Sequence, residues 1–301
     1  AVNNGADISA WQNDKGEVAL ACDINMKSVK HWHSIKRFEG VFDGKGFALT
    51  NWKTSQALFD VVADGAVVRN LRIDGSCSMT ILGEGEVVAG VVANSNYGTI
   101  ERCENGATST LKSEALNATS YIGGLVGRNG YVICDSRNSG NIVVEARSSA
   151  SEANLSLFVG GVVGGMVKRS RGYYTIFRCE NSGSISYQGN IPRTCVAGLV
   201  GRANRIGVRL CVNRGEVSAQ FESAAGGLKG YSYVGGVVGN SAAHVQSSDN
   251  FGKVSMGGTH TIYGGGICGG LLEPKNLIGC ANYGDVVSKC RFTSAVGGLL
   301  G

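Results

Sequence analysis

The stretch Tyr233-Val-Gly-Gly-Val-Val-Gly-Asn240 decides the fold, because its central phrase returns along most of the chain. Full copies are Ile122-Gly-Gly-Leu-Val-Gly127, Val159-Gly-Gly-Val-Val-Gly164 and Val196-Ala-Gly-Leu-Val-Gly201, and partial copies are Val88-Ala-Gly-Val-Val-Ala93, Gly264-Gly-Gly-Ile-Cys-Gly269 and Val296-Gly-Gly-Leu-Leu-Gly301. The second glycines stand at 90, 124, 161, 198, 236, 266 and 298, which gives intervals of 34, 37, 37, 38, 30 and 32 residues. A period of this length is typical of solenoids, propellers and arrays.

A second pattern fills the other half of each repeat. A branched apolar residue is followed after three residues by Cys or Ser, then by Asn and usually by Gly. The small residues are Cys103, Ser136, Cys179, Cys211, Ser248 and Cys280, and the asparagines are Asn105, Asn138, Asn181, Asn213, Asn250 and Asn282. The Cys/Ser, Asn and Gly positions alternate along the chain with positions whose residue type varies from repeat to repeat. In a strand that alternation predicts a uniform column inside and a variable column in solvent.

The repeat predicts an all-β parallel β-helix, with one coil per 30–38 residues stacked on the coil before it. Each unit is expected to hold about three short strands, which is too little for a four-stranded propeller blade. We expect one continuous domain, in which residues 1–86 form the N-terminal cap and first coils and residues 87–301 form the repeat coils. Residues 24–35 are the one stretch that could form a short helix, covering an open strand edge.

Composition narrows the function without naming it. The chain has 301 residues with 47 Gly and 2 Pro, and its net charge of +5 is mild, so nucleic acid is not a required partner. No apolar run approaches the roughly 18 residues of a membrane helix. Ten cysteines without a C-x-x-C pair argue against a zinc site and a disulfide scaffold. Ala1 opens no signal peptide, and the end at Gly301 lies one phrase into a new coil, so we expect a trimmed chain that continues or is cut.

The repeated residues themselves point to structure rather than chemistry. Asparagines at coil corners adopt left-handed geometry and, when stacked, form a side-chain ladder. Thiols that interchange with hydroxyls predict small buried fillers, and stacked Cys179 and Cys211 point the same way, so no disulfide is expected. The glycines permit tight corners or close backbone approach. Which parity of the glycine phrase faces inward is open, and whichever faces outward would form a flat ribbon for a partner.

Candidate catalytic and metal-binding residues are few. His31 and His33 flank Trp32 and could share a metal, although a capping segment is the simpler interpretation. The first quarter of the chain has several aspartates whose carboxylates could serve calcium or glycoside cleavage, although three of them precede glycine in turns. These aspartates are Asp23, Asp43, Asp60, Asp64 and Asp74. We therefore expect no catalytic residue, metal or cofactor.

Five basic residues follow the glycine phrase by a few positions. They are Arg128, Lys168, Arg169, Arg202 and Arg205. Stacked coils would align them along one edge as a stripe for anionic glycans or other acidic ligands. An ordinary solvated face is the alternative interpretation of the same residues.

The copies Gly123-Gly-Leu-Val-Gly127 and Gly235-Gly-Val-Val-Gly239, each followed by its C/S-x-N-x-G-like half, resemble the GLUG motif of bacterial surface and secreted proteins. The leader Phe38-Glu-Gly-Val-Phe-Asp-Gly-Lys-Gly-Phe47 is similar to the segment that often precedes those repeats, notably in Bacteroidetes-type proteins. The resemblance covers nearly the whole chain. It implies a right-handed parallel β-helix on an exported, often lipid-anchored or adhesin-like protein, and it carries no catalytic residue.

The sequence thus predicts an extracellular or outer-membrane protein, monomeric and without a membrane span, that presents its β-helix to a glycan or a host protein. A polysaccharide lyase or hydrolase is the alternative, since the same fold carries such enzymes. The polygalacturonase-type motifs Asn-Thr-Asp and Gly-His-Gly and the pectate lyase motif Trp-Ile-Asp-His are absent from the sequence. A third interpretation is a spacer module of a longer stalk.

Overall fold

The structure is a computed structural model that describes residues 4, 8, 15–148, 155–167, 175–204, 207–223, 230–259, 261–271, 277–291 and 294–301. Over these residues short strands pair in parallel with the strands one repeat before and after them, forming five sheets along one axis. The predicted parallel β-helix is confirmed. No described residue belongs to a helix that is long and apolar enough for a membrane crossing.

Each full coil visits the five sheets in a fixed order, and we number the sheets in that order. Sheet 1 contains Val88–Gly90, Ser120–Gly123, Ser156–Gly160, Arg193–Ala197, Tyr231–Gly235, Thr261–Gly265 and Ser294–Gly297. Sheet 2 contains Phe59–Val62, Ala93–Asn96, Val126–Asn129, Val163–Met166, Val200–Ala203, Val238–Ser241 and Cys268–Leu271. The two halves of each glycine phrase therefore lie in different sheets.

The remaining three sheets complete the coil. Sheet 3 contains Glu17–Ala19, Val41–Asp43, Val67–Arg69, Thr99–Glu101, Val132–Cys134, Thr175–Phe177, Gly207–Arg209, Val245–Gln246 and Leu277–Ile278. Sheet 4 contains Ile24–Asn25, Ala48–Thr50, Arg72–Ile73, Glu104–Asn105, Arg137–Asn138, Glu180–Asn181, Val212–Asn213 and Asp249–Asn250. Sheet 5 contains Lys53–Thr54, Ser78–Ile81, Thr108–Ser113, Ile142–Ala146, Ile185–Gly189, Val217–Phe221, Val254–Gly258 and Val286–Cys290. Sheets 3, 4 and 5 contain strands from both sides of residue 86, so the coils run continuously across it.

The core is a set of columns in which each repeat places the same residue type above its predecessor. Ile133 pairs with Ile176, which pairs with Val208, and all three side chains have no exposed surface. The first coils are filled by larger side chains, including Phe38, Phe42 and Phe59 in mutual edge or tilted contact. Matched apolar columns let one coil bury the face of the next, which is the source of solenoid stability.

The glycine phrase is not one strand, and the expectation of about three strands per coil was too low. The chain bends between sheets 1 and 2 and folds the two strands onto each other. A Cβ atom on Gly164 would lie 2.5 Å from the Ile122 nitrogen, and one on Gly127 would lie 2.7 Å from the Ala89 nitrogen. Backbone therefore packs on backbone at this seam, which we define as the contact between sheets 1 and 2. Only glycine permits so close an approach.

Because of the seam, neither parity of the glycine phrase faces solvent. Within Val159–Val163, all five residues are buried, because the core covers one side and the facing strand covers the other. The expected flat outward ribbon does not exist at the seam. Pattern alone could not show this, since a strand covered on both sides looks like any continuous apolar run.

Left-handed backbone occurs at another position than the sequence indicated. The positive φ angles fall three residues before the ladder asparagines and not on them, at Arg102 (50°), Asp135 (51°), Arg178 (49°), Leu210 (53°) and Ser247 (48°). This column turns the chain from sheet 3 into sheet 4. Side chains of many types occupy it, so the corner has no residue signature.

The helix considered for residues 24–35 was wrong. Ile24–Asn25 is a strand of sheet 4, and the following residues form bends and turns. Ile24, Met26 and Trp32 are buried in the core. The apolar spacing that suggested a helix arises from residues that point inward from an irregular coil.

Candidate binding surfaces

Aromatic and guanidinium side chains meet at the outer mouth of the seam. Tyr121 projects from sheet 1 and Arg128 from sheet 2, and the Arg128 Cζ atom lies 5.3 Å from the centre of the tyrosine ring. Arg202 repeats the contact two coils on, with its Cζ atom 5.2 Å from the centre of the Phe158 ring. Cations over ring faces are held by the ring quadrupole. The fold of the seam thus brings together two residue types that lie seven or more positions apart in sequence.

The rings at the mouth form a row along the helix axis, which we call the ring row: Tyr121, Phe158, Tyr233 and Tyr263. Register places them at one position of successive coils, with Cys195 between the two pairs. Ring centres are 5.3 Å apart for Tyr121 and Phe158 and 5.4 Å apart for Tyr233 and Tyr263. The three tyrosines are partly exposed, whereas Phe158 is buried. The row is therefore a shallow aromatic surface rather than core.

The sequence missed the ring row, although it contains the signal. An aromatic residue directly precedes the glycine phrase in four copies, as in Tyr233-Val-Gly-Gly. Two of the five predicted basic residues lie beside this row. Arg128 and Arg202 occupy one column of sheet 2, with Gly165 between them. Lys168, Arg169 and Arg205 lie outside the described residues.

The asparagines form a buried column of side-chain hydrogen bonds. Asn138 Nδ2 donates to Asn181 Oδ1 at 2.8 Å, and Asn181 Nδ2 donates to Asn213 Oδ1 at 2.8 Å. The same pattern links Asn105 to Asn138, Asn213 to Asn250 and Asn250 to Asn282. Each amide also donates to the carbonyl two residues on, as Asn181 does to Gly183 at 2.8 Å. Five members have no exposed surface, so this column holds coils together and offers nothing to a ligand.

A groove of about 650 Å³ lies along the corner between sheets 3 and 4, and we call it the charged groove. Its walls carry side chains of both signs from successive coils. The basic residues are Lys45, Arg72, Arg102, Arg137 and Arg178, and the acidic residues are Asp43, Glu104, Asp135 and Glu180. Catalytic carboxylates, if the chain had them, would be expected to converge in such a groove.

The arginines and carboxylates of the charged groove are neutralised by ion pairs with neighbouring side chains. Arg178 binds Asp135 through two hydrogen bonds, one of 2.7 Å, and Arg137 Nη2 lies 2.8 Å from Glu104 Oε2. The bond from Arg178 lowers the pKa of the Asp135 carboxyl. Burial would raise the pKa of Asp43, but hydrogen bonds from Asn70, the Lys45 N–H and Arg69 outweigh it and lower the pKa. Carboxylates held ionised in this way are poor general acids at neutral pH.

The five predicted aspartates do not converge. Asp23 Oδ1 accepts from the Ala48 N–H at 2.8 Å, Asp60 Oδ1 from Asn94 Nδ2 at 3.0 Å, and Asp74 Oδ1 from the Ser76 N–H at 2.9 Å. Asp43 lies in the charged groove and Asp64 in a turn. Asp23 and Asp43 lie at the corner between sheets 3 and 4 on different coils, whereas Asp60, Asp64 and Asp74 lie at other places around the coil.

The histidines give no metal cluster within the described part of the chain. His31 and His33 are exposed on the first coil and line one cavity, and His244 is exposed on a later coil. His260 lies outside the described residues. No group of three or more His, Cys, Asp or Glu side chains suited to a metal occurs among the residues that the structure describes.

All ten cysteines are free thiols, and most are buried. Cys179 and Cys211 stack without a disulfide, with the Cys179 N–H donating to Cys211 Sγ at 3.4 Å. Burial raises the pKa of the Cys103 and Cys195 thiols to about 12. A thiol with that pKa is about one ten-thousandth thiolate at pH 8, so it is a weak nucleophile.

Thiol alkylation should therefore distinguish exposed from buried cysteines by their rates of modification. At pH 8, iodoacetamide should modify exposed Cys22 in the native protein, and the buried cysteines should react only after unfolding. Peptide mass spectrometry over a time course measures both rates, and Cys22→Ser should remove the fast phase. Fast native modification of Cys103 or Cys195 would contradict the buried column.

An ion-pair cluster bridges coils at the end of sheet 5. Arg147 Nε lies 2.7 Å from Glu222 Oε2, Arg147 Nη1 lies 2.9 Å from Glu114 Oε1, and Gln188 Nε2 donates to Glu222 at 3.0 Å. The hydrogen bond from Arg147 is the main cause that lowers the pKa of Glu222 from 4.5 to about 2. The cluster joins four successive coils beyond the backbone ladder.

Glu222 should make the free energy of unfolding depend on pH in the acidic range. Because its folded pKa lies below the unfolded value, its contribution is complete above about pH 4.5 and is lost as the pH falls toward 2. Glu222→Gln should remove that part of the pH dependence, and Arg147→Gln should have the same effect. Urea unfolding at pH steps between 2 and 7 tests this, and parallel acid curves for wild type and Glu222→Gln would refute it.

Comparison with known proteins supports the fold. No family model matches the chain, and no curated protein matches it. Among solved structures, the chain is similar to that of a "putative immunoglobulin A1 protease" from Bacteroides ovatus, with a TM-score of 0.57 and 17% sequence identity. The match covers 84% of this chain and 74% of the other. At that identity the likeness shows a shared fold alone.

Proposed function

We propose that this chain is a non-catalytic binding and spacer module of the GLUG-motif type, exported to a bacterial cell surface, which binds glycans along the ring row. The observation that carries the proposal is the alignment of Tyr121, Tyr233 and Tyr263 with Arg128 and Arg202 on one outer face. Tyrosine side chains combine an apolar ring with a hydroxyl that can bond sugar hydroxyls, and guanidinium groups bind carboxylates and sulfates. Among the described residues, exposed Arg202 has this capacity free of the carboxylate pairing of Arg128, whose Nη2 lies 3.5 Å from Glu86 Oε1.

Rigidity supports this role. The rings project from strands whose backbones pack on each other at the seam, so little side-chain freedom is lost on binding. The pitch of the row is set by the coil spacing of about 4.8 Å. A regular rigid row suits a polymer with a repeating unit better than a compact small molecule.

The polysaccharide-cleaving alternative would use the charged groove, which is the described cavity richest in carboxylates. Glycoside cleavage needs one carboxyl kept protonated near neutral pH beside one that is ionised. The pKa of both Asp43 and Asp135 is instead lowered. Their arginine pairing favours a structural role for the groove and supports the binding proposal.

A glycan array with the purified chain tests the proposal, followed by titration of the best ligand against variants. Tyr233→Ala with Tyr263→Ala should weaken binding by about tenfold, as expected for the loss of two aromatic contacts and their hydroxyl hydrogen bonds. The matched control is Phe251→Ala with Tyr283→Ala, since that pair is also stacked, at 4.7 Å, but lies on the sheet 4 side of the coil. Binding to no glycan, or equal loss in the control, would reject the ring row.

An activity assay distinguishes the polysaccharide-cleaving alternative from the binding proposal. Incubation with acidic polysaccharides should release no new reducing or unsaturated ends. Product formation that Asp135→Asn abolishes would replace the binding proposal with the enzymatic one.

A further inference from the structure

A cluster of basic side chains on the first coils differs from every other charged surface described above. Lys27, Lys30, His31 and His33 come from the segment after the first strand of sheet 4, and Lys53 comes from the first strand of sheet 5. Two adjoining cavities of about 380 and 650 Å³ share Lys30 and Lys53 as lining residues. We call these two cavities with the five side chains the basic pocket.

The fold brings this cluster together. The Met26 N–H donates to the Thr50 carbonyl and the Ile35 N–H to the Leu58 carbonyl, which lays residues 27–34 against residues 51–57. Lys53 in turn pairs with Ser78 of the next coil. Three successive coils thus form the floor of the basic pocket, and its two cavities adjoin along the chain direction at Lys30 and Lys53.

No carboxylate lines either cavity among the described residues, and none of the three lysines forms an ion pair there. The arginines of the charged groove behave differently, since each has a carboxylate within 4.0 Å. Asp74, two residues before Ser76 of the lining, accepts the Ser76 N–H. Ammonium groups gathered without counter-charge create a local positive potential that attracts anions.

The other lining groups are hydrogen-bonding side chains. Asn51 Nδ2 donates to Asn25 Oδ1 at 3.4 Å, and the Asn51 N–H donates to Ser76 Oγ at 2.9 Å, so these three residues make a polar column along one wall. Thr54 and Gln56 line the other cavity. Trp32, the one Trp, Tyr or Phe residue of the lining, is buried with 5% of its surface exposed. The exposed rings of the pocket are therefore the small imidazoles of His31 and His33, which offer less stacking area to the bases of single-stranded nucleic acid than a Tyr or Trp ring would.

We infer that the basic pocket is a second binding site, for the sulfate or carboxylate groups of an anionic polysaccharide. Lysine ammonium groups would contact the anionic groups, and the amides and hydroxyls would bind the sugar hydroxyls. This site is separate from the ring row and does not depend on it. A linear polymer bound in the pocket would contact side chains of three successive coils.

The test is a titration of the full chain with fluorescent dextran sulfate, with polygalacturonate, uncharged dextran and a single-stranded DNA oligonucleotide as parallel probes. Lys27→Gln, Lys30→Gln and Lys53→Gln in one variant should weaken binding of the anionic polysaccharides by at least about tenfold and flatten its salt dependence. Uncharged dextran should not bind at this site.

The control has the same loss of charge elsewhere, through Lys112→Gln, Lys253→Gln and Lys289→Gln, all at exposed positions. It should change affinity by less than about twofold, because screening limits the reach of charge to about 8 Å at physiological salt. Adding the three lysine substitutions to an Arg128→Gln, Arg202→Gln variant should weaken dextran sulfate binding by the same factor as adding them to the wild type, which keeps this site distinct from the ring row. Equal weakening in the lysine control, or tighter binding of DNA than of either anionic polysaccharide, would overturn the inference.

Discussion

Gly161→Ala should destabilise the protein by about 3–5 kcal/mol, in the range of severe overpacking. A Cβ atom at this position would lie 2.1 Å from the Gly198 carbonyl oxygen and 2.4 Å from Asn181 Cγ. Neither neighbour has room to move, because the carbonyl belongs to the next coil and the amide belongs to the asparagine ladder. Urea unfolding followed by circular dichroism measures the loss.

Gly207→Ala is the matched control for that change. Gly207 lies in a strand of sheet 3, and the nearest atoms to its Cβ position are 3.6 and 3.7 Å away on the flexible Arg209 side chain. We expect a change within about 0.5 kcal/mol at this position. Equal destabilisation by both substitutions would mean that loss of glycine in general, and not the crowding around Gly161, controls stability.

Asn181→Ala should cost about 3 kcal/mol, because it leaves two buried acceptors without a donor. Those acceptors are the Gly183 carbonyl and Asn213 Oδ1, each now 2.8 Å from Asn181 Nδ2. The neighbouring Ser182→Ala is the control and should have little effect, since Ser182 is exposed and its hydroxyl lies 3.5 Å from its acceptor. Equilibrium unfolding of both variants gives the comparison.

Asn181→Asp adds a second test of the buried asparagine site, because the stability of this variant should depend on pH. An ionised carboxylate would face two acceptors in a site without solvent, so its pKa in the folded state should be raised. The variant should then be closest to wild type below the unfolded pKa of about 3.9 and lose stability as the pH rises above it. The cost of Asn181→Ala should stay constant over the same range. A constant cost for Asn181→Asp would show that the site admits water.

The matching columns could be predicted from the sequence because a parallel β-helix repeats one environment per coil. Val or Ile, Cys and Asn recur at one parity, and Cys179, Asn181 and Ile185 are buried as that parity requires. The short repeat unit also argued against a four-stranded propeller blade. These conclusions depend on residue identity and spacing, which are local properties of the chain.

The surfaces could not be predicted in the same way. Tyr121 and Arg128 meet because the chain reverses at the seam, and no spacing rule distinguishes that bend from a straight buried strand. Lys27, Lys30 and Lys53 come together because a segment without a strand of its own lies against the next coil. The left-handed corner at Arg102 and Leu210 likewise has no residue preference to reveal it.

The sequence by itself determined that the chain coils once per repeat around a shared apolar axis, since only a stack of similar units buries the recurrent Val, Cys and Asn positions. The tertiary structure alone decided which side chains share a surface. Contacts across the seam and between coils join residues from 7 to 75 positions apart, and their chemistry depends on how the coil bends rather than on how often it repeats.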